Sequence, residues 1–123
     1  MNSYLLVAAF GLTIVALIHS ILGEKLIIKP ILKLTLPKIL GSESLTKQTV
    51  RFAWHLTTLT ALGFAAILFY YSFNPVNSVT TNTLKIVAAG LFTAALISAV
   101  TTRGRHFSWW AFLLIGIFTW LGS

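Results

Sequence analysis

The chain has 123 residues, 57% of them hydrophobic and only 9% charged, and nine Lys and Arg against two acids leave a net charge of +7. A soluble domain carries about a quarter charged residues, so this composition excludes a water-soluble monomer. There is no Asp and no Cys, which leaves Glu24 and Glu43 as the acids and excludes disulfides, thiolate metal ligands and a cysteine nucleophile.

The first apolar segment runs from Tyr4 to Leu22. A helical span needs roughly 20 residues at about 1.5 Å each to cross the hydrocarbon core, and this segment meets that length. It lacks a basic leading region and a small-residue cleavage site, and its positive charges follow it, so it reads as a retained anchor. Ala9, Thr13, Ala16, Ser20 and Gly23 give it a face of small residues on which another helix can approach closely.

A polar connection, residues 24–49, follows. Lys25, Lys29 and Lys33 recur every fourth residue among Ile and Leu, which predicts an amphipathic helix lying at the membrane interface against anionic headgroups. Pro30 suits the first turn of such a helix and Pro37 ends it. Gly41 and Ser42 predict a turn, with Ser42 or Ser44 capping the next helix and Glu43 near its positive end.

The second span covers residues 50–71, the third 84–102 and the fourth 107–121. Solid apolar blocks of these lengths predict helices, since barrel strands would alternate over about ten residues. The fourth is short and needs flanking residues or a thinner bilayer. On the third, Gly90, Ala94 and Ser98 form another small-residue face, and both such faces are predicted to turn inward. On the second, Arg51, His55, Thr58, Leu62 and Ala65 share a face that should also turn inward, because ionisable groups within spans seek partners.

The fold expected is therefore all-α, one integral membrane domain over residues 1–123 arranged as a four-helix bundle. Placing the 24–49 connection and the 103–106 turn on one side gathers eight of the nine cations there, counting Arg51 at the adjoining end of the second span, and leaves Lys85 alone opposite. That side is the cytoplasm, so both termini face outward. Tyr4, Tyr70, Tyr71 and Trp120 would then line the outer interface, and Trp54, Trp109 and Trp110 the inner one.

On this topology His19, His55 and His106 fall in one layer just inside the cytoplasmic boundary, beside Glu24, Arg51, Arg103 and Arg105. Glu24 with Arg51 or Arg105 is the expected ion pair. The layer reads first as a polar border that pins the bundle. Its alternative readings are cofactor sites: two imidazoles as axial ligands of haem iron, or three imidazoles with Glu24 around a divalent metal. A quinone or lipid headgroup is a further candidate. Catalysis is not expected: there is no paired carboxylate, and Ser20 points about 100° away from its sequence neighbour His19. The midplane carries hydroxyls at Thr13, Thr58, Thr60 and Thr93 but no charge, which counts against a small-solute transporter.

The segments HSILGE, GSESLTKQTVRFAWH and RGRHFSWW resemble a pattern in a group of small bacterial integral membrane proteins with no established activity. The resemblance extends over nearly the whole chain. It implies an inner-membrane location and marks His19, Gly23, Glu24, Arg51, Trp54, His55, Arg105 and His106 for test. The function expected is that of a non-enzymatic inner-membrane protein acting through lipid, protein partners or a homo-oligomer, as a small subunit of a larger assembly, with haem or metal binding second. No nucleic-acid partner is expected.

Overall fold

A computed structural model describes all residues, 1–123. The chain is all-helical. Helix α1 spans Ser3–Gly23 and runs without a break into a π-helical turn, Glu24–Ile28, and a last α-turn, Lys29–Ile31. Helix α2 covers Glu43–Phe73, α3 Ser78–Thr101 and α4 Ser108–Leu121. The rod Ser3–Ile31 and helices α2 and α3 are each long and apolar enough to cross a membrane, while α4 is shorter.

The helix starts follow local chemistry. Asn2, Ser42 and Asn77 cap α1, α2 and α3 by accepting amide hydrogen bonds from Leu5, Leu45 and Thr80 at 3.2, 3.2 and 2.9 Å. The expected Ser42 cap is thus in place, with Glu43 in the first turn. Capping starts α2 and α3 one or two turns ahead of their apolar stretches, at residues 43 and 78 rather than 50 and 84.

The expected separate interfacial helix is absent. Gly23 has ordinary helical angles (φ −61°, ψ −43°), so nothing stops α1 there, and the Lys-bearing segment prolongs it. Pro30 sits inside this rod. Proline lacks an amide donor and its ring crowds the carbonyl four residues back; the turn before it loosens to the π form, in which the Lys29 amide donates to the Glu24 carbonyl. The helix ends in a turn at Leu32–Lys33, and residues 34–42 fold back on the start of α2. There Thr46 Oγ1 donates to the Pro37 carbonyl at 2.5 Å and accepts from the Ile39 amide at 3.0 Å. Leu40 and Gly41 turn the chain at positive φ, 50° and 79°.

α1 packs against α2 on one side and α4 on the other, and α3 packs against α4. Leu5, Ala8, Ala9, Leu12, Ala65, Leu68, Leu84, Leu91 and Ile115 from all four helices make one buried core. The Asn2 amide donates to the Ser72 carbonyl at 2.7 Å, and Asn2 Nδ2 to the Gly122 carbonyl at 2.8 Å, so one residue joins α1's start to the ends of α2 and α4. Small residues set the helix spacing: a Cβ on Gly116 would stand 2.6 Å from Phe92, and one on Gly11 3.2 Å from Ile115.

Of the two small-residue faces, that of α1 is inward, with Ala9, Ala16 and Gly23 buried. That of α3 turns inward only in part: its buried row is Thr80, Leu84, Ala88, Leu91 and Ala95, Ala94 and Ser98 are half-buried with Ser98 bonded to Ser108, and Gly90 is exposed with open space around it. On α2 the expected face turns inward from His55 onward, with Thr58 and Ala65 buried and Leu62 and His55 half-buried, while Arg51 at its start is exposed.

Candidate functional site

At the end of the molecule away from Asn2, α1 and α2 exchange polar groups that their sequences place a helical turn apart. Ser20 on α1 and Glu24 at the start of the π turn lie about one turn apart, Arg51 and His55 one turn apart on α2, and the antiparallel register brings the pairs face to face. Arg51 Nη2 donates to Glu24 Oε1 at 2.5 Å, and His55 Nε2 lies 3.2 Å from Glu24 Oε2. His55 Nδ1 is 3.0 Å from Ser20 Oγ. The carboxylate is well covered, at 15% side-chain exposure, while Arg51 and His55 stay open at 53% and 35%.

A second layer lies one helical face round. Trp54 lies flat on the His19 imidazole, centroids 4.4 Å apart and planes 7° off parallel, and its Nε1–H donates to the His19 carbonyl at 3.2 Å. His19 Nε2 meets Thr57 Oγ1 at 3.0 Å. The indole occupies the space that a side chain at position 23 would need, so Gly23 is required by this approach and does not mark a helix end.

The third element of the expected layer stands apart. His106 turns to its own loop, where Nδ1 bonds Ser108 Oγ at 2.7 Å, and Ser108 Oγ reaches Ser98 Oγ at 2.5 Å. Arg103 (φ 51°) and Gly104 (φ 73°) form the tight turn between α3 and α4, closed by Trp109 Nε1 donating to the Gly104 carbonyl at 3.1 Å. Arg103 and Arg105 are exposed and reach neither acid, because Glu24 is taken by Arg51 and His55, and Glu43 by Lys47 at 2.8 Å. Of the two candidate partners for Glu24, Arg51 is the one in contact.

The three imidazoles with Glu24 therefore do not converge as a metal site; no three His or Glu side chains in the chain do. Haem ligation through His55 also fits poorly, since both ring nitrogens are engaged. Lys25, Lys29 and Lys33 are exposed along the prolonged rod and its final turn, with no acid opposite them.

No family model, curated protein or solved structure matches this chain.

The polar cluster between α1 and α2 contains one relationship that sequence spacing hides. Ser20 points away from its sequence neighbour His19, yet it bonds His55 on the neighbouring helix. The usable signal was the shared depth of Ser20 and His55 on antiparallel spans.

Proposed function

We propose that the chain is a four-span protein of the bacterial inner membrane, with both termini outside, that acts through lipid or protein partners at its basic cytoplasmic end. The observation that carries this reading is the distribution of exposed side chains. Phe10 and Ile14 on α1, Phe52 and Leu59 on α2, and Ile86 and Leu96 on α3 all face outward, and only the ends of the molecule carry charge. Such a surface is stable where the surroundings are hydrocarbon.

The cation distribution supports the orientation. Lys25, Lys29, Lys33, Arg103 and Arg105 lie exposed at the Gly23 end, and Lys85 alone lies toward the other, with its Nζ 5.5 Å over the Trp120 ring. The rod Ser3–Ile31, at about 1.5 Å per residue, overshoots roughly 30 Å of hydrocarbon and carries its lysines into the headgroup layer. Helix α4 is too short to match it, which suits a locally thinned bilayer.

Two measurements test this. A periplasm-dependent phosphatase fused after Ser123 is expected to be active and a fluorophore-forming cytoplasmic reporter at the same place dark; the opposite result overturns the orientation. Vesicles containing anionic lipid are expected to raise the unfolding temperature above that in neutral vesicles. Loss of that difference on replacing Lys25, Lys29 and Lys33 with Gln supports lipid recognition there, and its persistence removes it.

A further inference from the structure

We infer that Ser20 is a nucleophile, activated by His55 and oriented through Glu24, toward carboxylic esters reaching the headgroup–acyl boundary. This goes beyond the reading above by giving the end cluster a reaction, and rests on that reading only for the depth at which substrate is met.

Donor and acceptor accounting fixes the direction of the relay. An ionised carboxylate only accepts, so the contact between Glu24 Oε2 and His55 Nε2 at 3.2 Å requires the proton on Nε2. In a neutral imidazole Nδ1 then carries the lone pair, and the Ser20 hydroxyl donates to it across 3.0 Å. Arg51 holds the other carboxylate oxygen at 2.5 Å, so the acid cannot swing away. Serine, imidazole and carboxylate thus form a nucleophile–base–orienter chain, with the ring nitrogens used in the opposite sense from the serine-protease arrangement.

The Ser20 hydroxyl also behaves unlike its neighbours. Thr13, Thr60, Thr93 and Thr119 each donate to the carbonyl four residues back in their own helix, at 2.8 to 3.0 Å. That is the ordinary resting place of a helical hydroxyl. Ser20 makes no such bond and points across to α2.

The depth selects the substrate. Ser20 lies one turn before Glu24, about 6 Å inside the polar border at the helical rise, where the ester carbonyls of acylated lipids lie. In the reaction Ser20 Oγ adds to the ester carbonyl carbon as its proton passes to His55 Nδ1. The tetrahedral adduct expels the alcohol, which takes that proton. Water then attacks the acyl-serine, giving one proton to His55, and Ser20 recovers it as the carboxylic acid leaves.

The test uses the full chain in detergent with a fluorophosphonate probe, so its outcome is independent of orientation in the membrane. Covalent labelling of the folded protein at Ser20, located by peptide mapping, is expected, with none in Ser20→Ala. His55→Gln is expected to slow labelling about a hundredfold. Thermal unfolding of each variant reports folding, and Ser20→Ala, which removes one hydroxyl, keeps the comparison sound. For Glu24 as a positioning residue, Glu24→Gln is expected to move the pH profile of labelling. No labelling of folded wild-type protein, labelling that survives Ser20→Ala, a rate indifferent to His55, or an unmoved profile in Glu24→Gln would overturn the relay.

Discussion

Trp54 lies across Gly23 so closely that a methyl group on the glycine would overlap the indole ring. The indole has no free path of retreat, since it is stacked on His19 and its N–H is bonded to the His19 carbonyl. Gly23→Ala should therefore force α1 and α2 apart at the polar end and destabilise the protein by about 1–3 kcal/mol. Thermal unfolding in detergent measures this. A midpoint equal to wild type would mean that the two helices do not meet this closely.

Glu24 serves two partners at once, and its loss should show as coupling. Glu24→Gln leaves Arg51 and His55 without their charged acceptor, with an expected cost of about 1–3 kcal/mol, discounted toward the lower end because Arg51 is half exposed. Arg51→Gln should cost less, and the double variant less than the sum of the two. Strict additivity in a double-mutant cycle would refute an interaction between them.

The parts of this arrangement legible in the sequence are those that composition and depth determine. Four apolar blocks announce four helices, Ser42 followed by Glu43 announces a helix start, and two acids among nine cations make an ion pair at Glu24 easy to expect. Rotation about a helix axis is harder to read. Gly90 belongs to a small-residue repeat that suggests a packing surface, but it stands in open space, and Leu84, Ala88, Leu91 and Ala95 take the inner row. Ser20–His55 was hidden for the same reason: it depends on the mutual rotation of two helices, which a single sequence does not encode by spacing. Gly23 serves the close approach that its place on the small face of α1 suggests, whereas Pro30, which looks like the start of a new helix, is absorbed by a π turn.

Thr58 supplies a prediction of opposite sign. Its side chain is buried on the inner face of α2 and its hydroxyl is without a hydrogen-bond partner, the Trp54 carbonyl one turn back already accepting from Thr57 Oγ1 at 2.7 Å. An unsatisfied buried hydroxyl costs about 1–3 kcal/mol. Thr58→Val keeps the shape and removes that cost, so the unfolding midpoint should rise. A lowered midpoint would show that the hydroxyl is satisfied after all.

The fold-back of residues 34–42 should open with acid. The Glu43 carboxyl is held below its ordinary value of 4.5, first by the hydrogen bond from Lys47 and next by that from the Leu36 amide at 3.3 Å. Since the folded value lies below the unfolded one, the contribution is fully present above the ordinary value and is lost as pH falls through the lowered one. Amide exchange at Leu36, corrected for its intrinsic pH dependence, should be constant from neutrality down to about pH 5 and accelerate below that range. Lys47→Met removes the leading cause and should shift the loss to higher pH, while Glu43→Gln should abolish the transition. Protection at Leu36 that stayed flat through strong acid in the wild-type protein would mean that this carboxylate does not hold the segment.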